Sequence, residues 1–377
     1  MNKLILIGNG FDISHGLEVS YADFVNHILQ IQCVDPSRTN PFFQIKVKDP
    51  VIQSEFKELI DKKRSPRENL LGLIDLMDKT RINGEKRFAL IYKNELFRKA
   101  FSSDYISWAG FEKSYYDSLT DILNRHYKNQ MHTAEKEAEL VDIIELNAQF
   151  EEVKSTFIAY LNEVVFPRIS SVRPRELFDD WFKNSIIDKK PDENEIKFRK
   201  VAGKDSKPNN ILFLCFNYTQ ILENVYGIKD EVIDEKIQKV VNIHGDLSDP
   251  SRIIFGYGDE MDGSFKRIEN YQNSILQHFK SFQYAKSDNY HLLEAFVESD
   301  HFQVDILGHS CGTCDRVMLN FIFEHKFCNR IRVHFYEDDQ KKDNFTDIYM
   351  NLSRHFSPNK KHEMRSKILS YNRAYKM

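Results

Sequence analysis

Residues 212–219 read LFLCFNYT and residues 239–246 read KVVNIHGD. Each stretch is an apolar run typical of a buried strand, and each delivers one polar side chain at its end, Asn217 in the first and His244 in the second. The carboxyl ends of parallel strands meet at one edge of a sheet. The two stretches therefore predict neighbouring strands that bring an amide and an imidazole to the same edge.

Two further apolar runs follow the same pattern. Lys3–Ile7 is followed by GNGFD at residues 8–12, and Gln303–Leu307 is followed by GHS at residues 308–310. Four strands with Gly, Asn, His or Ser at their carboxyl ends predict the ligand edge of an open α/β sheet. We therefore expect a parallel, Rossmann-like sheet, and an enzyme whose site is shaped for a nucleotide.

Composition limits the class of protein. The 377 residues are 41% hydrophobic and 29% charged, which predicts a folded chain of two domains, or of one domain with a large insertion. A net charge of −4 argues against general nucleic-acid binding. The cysteines are odd in number, and no apolar run is long enough for a secretory signal or a membrane span. We therefore expect a cytoplasmic protein with no disulfide framework and no membrane contact.

The middle of the chain has a different pattern. Apolar residues recur at helical spacing over Glu68–Met77, Phe101–Tyr127 and Ala138–Val165. A single buried strand at the N-terminus cannot stand alone, so we expect it to join the C-terminal strands. This predicts an α/β nucleotide-binding domain of residues 1–24 and 210–377, with an inserted helical domain of residues 25–209. The insertion is a candidate lid, sensor or oligomerisation surface.

From residue 211 onward, short apolar runs alternate with helical segments, which favours parallel strands joined by right-handed crossovers. We predict strands at Ile211–Phe216, Lys239–Ile243, Arg252–Phe255, Phe302–Leu307 and Arg330–Tyr336. We predict helices at about 218–226, 315–327 and 340–356. Connections between helices of the insertion are predicted at 36–41, 62–66, 83–86 and 188–194.

The turn at residues 8–12 follows a strand and precedes a stretch compatible with a helix, which is the setting of a phosphate-binding turn. Glycines let the backbone approach an anion, and the amides at a helix start then face it. Ile13 stands where the dehydrogenase fingerprint requires a third glycine, so this turn is not that fingerprint. A tight turn without a ligand explains the same residues equally well.

His244 and Asn217 each have two interpretations. An imidazole, with an unperturbed pKa of about 6.5, suits a general base, but a lone histidine is more often a hydrogen-bonded structural residue. Asn217 suits a site that orients a hydroxyl group, and it also suits a helix cap. Their matching positions at the ends of two strands favour the functional interpretation of both.

Residues 308–312 match the G-x-S-x-G nucleophile elbow of α/β-hydrolases. That interpretation needs an acid and a histidine after Ser310, such as Asp338 with His355 or His362, but too little chain remains for the second half of such a fold. A turn that holds a ribose or a phosphate explains the same residues.

Cys311 and Cys314 form a single C-x-x-C without the second pair that a structural zinc site needs, so we interpret them as small turn residues and expect no metal. A nuclease would need metal-binding carboxylates. Candidates without diagnostic spacing are Asp12, Asp246 and Asp315.

Together these turns resemble the bacteriophage abortive-infection AbiH family. The resemblance spans residue 4 to about residue 336, and the helical region contributes little to it. The motifs that carry it are IGNGFDISHGL at 7–17, SY at 20–21, DF at 23–24, FNYT at 216–219, NIHG at 242–245, FGY at 255–257, and GHS at 308–310 followed by Asp315.

The same order of turns is similar to the sirtuin-like NAD-binding fold of antiviral NADases. Residues 8–10 stand for its Gly-Ala-Gly, 16–17 for Gly-Ile, 217–218 for Asn-Tyr-Asp, 244–245 for His-Gly and 308–310 for Gly-x-Ser. Two residues depart from that pattern, since Asp12 replaces a serine near the phosphates and Thr219 replaces the aspartate after Asn-Tyr. The paired C-x-x-C zinc module of the deacetylases is missing, which argues against protein deacetylation.

The resemblance implies that Asn217 and His244 are catalytic. We expect the nucleotide to be bound by Gly8, Asn9, Gly10, Phe11, Asp12, Gly245, Gly308, His309, Ser310 and Asp315. The implied function is that of an antiphage effector that hydrolyses NAD at the nicotinamide–ribose bond, with NAD as substrate and no other cofactor. Asn217 would orient the ribose hydroxyl or the attacking water, and His244 would act as the base.

Two alternatives remain open at this point, a nucleotide-binding sensor in phage defence that performs no chemistry, and a hydrolase or nuclease toxin built on the same sheet. Binding of NAD without product formation would indicate the sensor. Replacement of Ser310 tests the hydrolase, because loss of a nucleophile is nearly total whereas loss of a ribose contact mainly weakens binding. The expected partners are NAD or a related nucleotide, a second copy of the chain and a phage-derived trigger.

Overall fold

The computed structural model describes residues 1–48, 64–79, 81–82, 85–102, 107–128, 133–185, 209–233, 236–261, 263 and 265–377. Within these residues the chain is a mixed α/β protein built on a mostly parallel seven-stranded sheet. The strands of this sheet are β1 (Asn2–Ile7), β6 (Ile211–Cys215), β7 (Glu231–Ile233), β8 (Lys236–Asn242), β9 (Phe302–Leu307), β10 (Cys328–Phe335) and β11 (Tyr375–Lys376).

The sheet is wound in two directions from β1. Its order is β11-β10-β9-β1-β6-β8-β7, and every neighbouring pair is parallel except β7 with β8. The chain runs from β1 to β6 and β8 on one side, and then returns to β9, β10 and β11 on the other. The six parallel strands therefore bring their carboxyl ends to one edge. The prediction that the N-terminal strand joins the C-terminal sheet is confirmed.

Strand β1 is central because both of its faces are apolar. Leu4 and Leu6 pack into the core on one face of the sheet, and Ile5 and Ile7 pack into the core on the other. All four side chains are at most 1% exposed. Burying an aliphatic side chain of this size contributes about 1.5–3 kcal/mol, so this short strand supports both layers of the fold.

Helices cover the sheet and form most of the segment between β1 and β6. They are α1 (Asn9–Ser14), α2 (Tyr21–Val34), α3 (Pro66–Lys79), α4 (Glu95–Ser102), α5 (Trp108–Lys128), α6 (Thr133–Tyr160), α7 (Phe166–Ile169) and α8 (Glu176–Asp180). Those after β6 are α9 (Ile221–Tyr226), α10 (Phe265–Glu269), α11 (Lys280–Gln283), α12 (Asn289–Ser299), α13 (Arg316–Glu324), α14 (Phe345–Arg354) and α15 (Lys361–Lys367).

The segment predicted to be helical also contains strands that the sequence analysis did not predict. Strands β2 (Phe43–Val47) and β5 (Phe88–Tyr92) pair antiparallel, and β3 (Arg81–Ile82) pairs with β4 (Glu85–Lys86). Five-residue strands are too short to show a period beside helices of 14 to 28 residues. The predicted helices are otherwise present, although Phe101 lies in α4 and α5 begins at Trp108. The predicted helix–helix connection at 83–86 is wrong in its second half, since Glu85–Lys86 is strand β4. Residues 62–63, 83–84 and 188–194 of the predicted connections lie outside the described residues.

The predicted strand Arg252–Phe255 is wrong. Pro250–Arg252 forms a 3-10 turn, and the next residues are extended without joining the sheet. Their apolar character has another cause: Phe255 stacks on Phe111 of α5, with ring centroids 5.9 Å apart. The run is therefore buried against the helical layer, and burial by a helix leaves the same sequence pattern as burial in a sheet.

No helix among the described residues is both long and apolar enough to cross a membrane.

A charged cluster lies inside the sheet at Asp305, in the middle of β9. The Asp305 carboxylate is 3.3 Å from Lys3 Nζ, 2.9 Å from His334 Nε2 and 3.5 Å from a guanidinium nitrogen of Arg332, and it is fully buried. Burial alone would raise the pKa of Asp305, but the surrounding cations hold it well below its usual range. The carboxylate is therefore charged, and its partners depend on it.

We predict that Asp305→Asn lowers the free energy of unfolding by roughly 3–5 kcal/mol, because it leaves buried cations unpaired. Asp300→Asn is the matched control, since Asp300 is 41% exposed and pairs with the N-terminal amine at 3.5 Å. Its loss should cost about 1 kcal/mol or less. Urea denaturation measures both, and equal losses would contradict the prediction.

Candidate functional site

The turns after β1 and β9 touch each other through their backbones. The amide of Gly8 donates to the carbonyl of Leu307 at 2.9 Å, and the amide of Gly10 donates to the carbonyl of Gly308 at 2.8 Å. A Cβ on Gly308, where φ is +67°, would lie 2.1 Å from the amide nitrogen of Phe11. The glycines are required by this close approach, and two amides predicted to face an anion are bonded to the neighbouring turn.

We predict that Gly308→Ala lowers the free energy of unfolding by roughly 3 kcal/mol or more, because it combines a strained φ with a steric clash. Gly263→Ala is the control, since a Cβ there meets no atom within 4 Å. Chemical denaturation compares the two. A tolerated Gly308→Ala substitution would show that the two turns separate easily.

Three other residues predicted to bind the nucleotide are directed elsewhere in this structure. The Asn9 side chain donates to the carbonyl of Val19 at 3.4 Å. Phe11 is fully buried and packs edge-on against Phe178, with ring centroids 4.9 Å apart. Ser310 is exposed. Their predicted contacts with a nucleotide stay predictions.

Asp12 joins the end of β1 to the end of β6. Its Oδ1 accepts from Nδ2 of Asn217 at 2.5 Å, and its Oδ2 accepts from Oγ1 of Thr219 at 2.6 Å. The Asp12 side chain is buried, and burial raises its pKa to about 7, against the opposing effect of these two hydrogen bonds. The carboxyl group is therefore poised to exchange a proton near neutral pH.

The two departures from the sirtuin-like pattern are in contact with each other. That pattern has serine where this chain has Asp12, and aspartate where it has Thr219. The Thr219 hydroxyl donates to the Asp12 carboxyl group, so the two residues that depart from the pattern share one hydrogen bond. In the sequence, Asp12 and Thr219 are two separate departures from that pattern, and the structure brings the two side chains into contact.

Asn217 keeps one atom available. Its Nδ2 is occupied by Asp12, whereas its Oδ1 is buried and receives no hydrogen bond from any described residue. A buried acceptor without a donor is costly, about 1–3 kcal/mol. Such an atom is typical of a site where a ligand or a water molecule supplies the missing donor.

His244 follows β8 and faces Asp315. Its Nε2 lies 3.3 Å from Oδ1 of Asp315, at ion-pair distance but without the alignment of a full hydrogen bond. Burial, together with the nearby Lys280 ammonium, lowers the pKa of His244 below its usual value. The imidazole is therefore neutral at pH 7 and able to accept a proton. Gly245, at φ +77°, allows the tight turn that follows it.

Lys280 and Glu112 complete the cluster, and the sequence analysis identified neither. Lys280 Nζ lies 2.8 Å from Asp315 and 3.2 Å from Glu112, which also accepts from the amide of Gly256 at 3.1 Å. Burial would raise the pKa of Asp315, but Lys280 holds it well below its usual range. Burial raises the pKa of Glu112 to about 7 against the opposing effect of Lys280.

A sequence signal for Glu112 does exist. On α5 it lies four residues after Trp108 and three before Tyr115, within the apolar stripe of the helix, and it is 5% exposed. An acidic residue on the buried face of a helix must have a buried partner. Lys280 carries no comparable signal, because its four-residue helix is too short to show a face.

The cluster is closed to solvent in this structure. Asn217, His244 and His309 are 6%, 4% and 6% exposed. Helix α5 lies over the loop after β9, where the thiol of Cys314 donates to the carbonyl of Ala109 at 3.3 Å. A nucleotide can reach these side chains only if α5 or the loop moves.

One of the two histidines considered for the nucleophile-elbow interpretation is engaged elsewhere. His355 donates from Nε2 to the carbonyl of Cys311 at 2.8 Å, so that nitrogen does not serve Ser310. Cys311 and Cys314 are buried free cysteines, and burial raises the pKa of both thiols. They are structural turn residues, as the sequence analysis interpreted them.

The carboxylates that a nuclease would need are not gathered at one point. Asp12 bonds to the end of β6, Asp315 bonds to Lys280, and Asp246 accepts from Asn242 at 3.1 Å and from the amide of Ser248 at 2.8 Å. Among the described residues, no group of three His, Cys, Asp or Glu is arranged to hold a metal ion.

Fold and site together define a doubly wound α/β protein with a buried polar cluster at the carboxyl edge of its sheet. Comparison with family models then identifies the family. The model of the bacteriophage abortive infection AbiH family matches residues 4–337, which include every residue of the cluster, and the chain belongs to that family. Family membership implies a role in the abortive infection of bacteriophage. A search of curated proteins finds no match.

We predict that Asp12 makes the protein less stable as the pH rises. The unfolded chain loses this proton near pH 3.8 and the folded chain near pH 7, so between these values the folded state carries the extra proton. The free energy of unfolding then falls with rising pH. Wild type should lose about 3 kcal/mol more than Asp12→Asn between pH 5 and pH 8. Urea denaturation at both pH values checks this. An equal change in the free energy of unfolding in wild type and Asp12→Asn would refute it.

Proposed function

We propose that this AbiH protein is an antiphage effector that hydrolyses NAD at the nicotinamide–ribose bond. The observation that carries the proposal is the matched placement of Asn217 and His244. Cys215, the last residue of β6, is paired with Asn242, the last residue of β8. Asn217 and His244 each lie two residues after this pair, just past the ends of the two strands. An amide oxygen without a donor and a neutral imidazole therefore come to the same edge of the sheet.

The chemistry needs these groups. The bond between ribose C1′ and the nicotinamide nitrogen breaks, and nicotinamide leaves with the electron pair as a neutral molecule. Water adds to C1′ and gives up a proton, so the products are nicotinamide, ADP-ribose and H⁺. His244 takes the proton, and Oδ1 of Asn217 orients the water or a ribose hydroxyl. Nearby negative charge from Asp315 would favour the cationic ribose in the transition state.

The topology also supports a dinucleotide site. Numbered in chain order, the six parallel strands lie 3-2-1-4-5-6 across the sheet, the order of doubly wound dinucleotide-binding sheets. The switch point lies between β1 and β9, where the glycine turns touch.

The closed cluster suits an enzyme whose activity must stay low in uninfected cells, because hydrolysis of NAD would harm the host. We propose that the helical insertion is the lid and that a phage-derived trigger displaces α5. Oligomerisation of the insertion is a second way to move it.

The test incubates purified protein with millimolar NAD and follows nicotinamide and ADP-ribose by chromatography. We expect wild type to release both products, and we expect His244→Ala and Asn217→Ala each to lower the rate of NAD hydrolysis by roughly 100-fold or more. His291→Ala is the matched control, since His291 is a histidine on α12 whose side chain is 77% exposed. Circular dichroism and thermal melting confirm that each variant is folded.

Wild-type turnover in either variant would overturn the mechanism. If no protein consumes NAD, calorimetric titration with NAD and ADP-ribose decides the next step. Binding without products would support a nucleotide sensor or an autoinhibited enzyme, and no binding would reject the nucleotide itself. Loss of activity in Ser310→Ala alone would support the hydrolase alternative.

A further inference from the structure

The Asp315 carboxylate is the centre of the buried cluster. Lys280 Nζ lies 2.8 Å from Oδ1, His244 Nε2 lies 3.3 Å from the same oxygen, and His309 Nε2 lies 3.6 Å from Oδ2. The side chain of Asp315 is 13% exposed, and those of its three partners are 4–6% exposed. Three nitrogen-bearing side chains from three separate segments therefore converge on one carboxylate.

A hydrogen bond fixes the tautomer of His309, and the charge of Asp315 indicates that of His244. The amide of Cys311 donates to Nδ1 of His309 at 3.0 Å, so the proton of neutral His309 is on Nε2, the atom that faces Asp315. His244 presents its Nε2 to the same carboxylate. A proton on that nitrogen is attracted by Asp315, whereas a lone pair there would be repelled by it.

We propose that Asp315 is the positioning residue of the site: it holds His244 in the tautomer protonated on Nε2, so that Nδ1 accepts the proton, and Lys280 keeps Asp315 ionised. The statement that Nδ1 acts as a catalytic base rests on the proposed function. The assignment of the tautomer does not, because it follows from the contacts of the protein alone.

Lys280 and Glu112 have separate roles in this arrangement. A buried carboxylate without a cation would take up a proton and lose its hold on the histidines. Lys280 prevents this, and Glu112 offsets the remaining charge of Lys280. Because Glu112 lies on α5, the insertion that covers the site also sets the charge around His244. The ring of Tyr284 lies parallel to His244 on another side, with centroids 6.3 Å apart.

The test is nitrogen and carbon NMR of histidine-labelled protein without nucleotide, with His244 assigned from the signal missing in His244→Gln. In wild type, the shifts of neutral His244 should show the proton on Nε2. In Asp315→Ala we expect a mixture of tautomers and a fall in the pKa of His244 by about 1 pH unit or more. Asp315→Asn keeps an acceptor oxygen, so it should lower the pKa and retain the tautomer.

Asp259→Ala is the control for general loss of packing. Asp259 is also buried, in the loop between β8 and β9, but it pairs with Arg316 at 3.1 Å instead of a histidine. This variant should leave both the tautomer and the pKa of His244 unchanged. If Asp315→Ala does not fold, the fall of the pKa in Asp315→Asn decides the question.

Lys280 and Glu112, the outer pair of the cluster, are tested by a variant of their own. Lys280→Met combined with Glu112→Gln removes the cation that keeps Asp315 ionised together with its carboxyl partner, so Asp315 should take up a proton and His244 should show a mixture of tautomers, as in Asp315→Ala. Lys286→Met, which removes an exposed lysine close in sequence, should have no effect. Retention of the Nε2 tautomer in the double variant would overturn the role of the outer pair.

Failure of this inference and failure of the proposed function give different results. Nε2 tautomers that persist in Asp315→Ala would overturn the positioning role, even in a protein that hydrolyses NAD. If the chemical shifts of His244 are as expected but the protein releases no nicotinamide, NAD hydrolysis is rejected and the positioning role stays intact. Where NAD is hydrolysed, the acidic limb of the pH–rate profile should move with the pKa of His244 in each variant.

Discussion

The contact between the turns after β1 and β9 constrains the rest of the site. The amide of Gly10 donates to the carbonyl of Gly308, and neither glycine has space for a Cβ. With the two turns in direct contact, α1 starts at a fixed height above the sheet, and its Asp12 reaches across to the end of β6. The polar side chains of the edge therefore gather on the β6–β8 side of the switch point, beneath α5.

Charge inside the protein is organised around two aspartates on or just after β9. Asp305 lies within the strand and holds Lys3, Arg332 and His334, whereas Asp315 follows the strand and holds Lys280 and two histidines. A buried ion pair adds little net stability compared with an apolar pair, but its disruption is costly. Asp305 therefore fixes the register of side chains across the sheet, and Asp315 fixes the orientation of groups that are able to react.

Several features of the fold were predictable because they depend on local pattern. Phe302–Leu307 was predicted with its observed bounds, since a short apolar run that ends at a glycine is typical of a buried strand. Arg252–Phe255 failed because burial against α5 and burial between strands select the same apolar residues. The β2–β5 pair was missed because its pairing partners lie far apart in sequence, and their register is set by contact rather than by local pattern.

The sequence by itself determined which residues stand at the ends of the strands, and hence that Asn217, His244 and the glycine turns share one edge. It also determined membership in the AbiH family, because the motifs that carry it are local. Only the tertiary structure decided which groups meet. Asp12 pairs with Thr219, and Glu112 reaches Lys280 from a helix that precedes it by more than 150 residues. The physical reason is that the ionisation of a buried group depends on its neighbours in space, which no local pattern records.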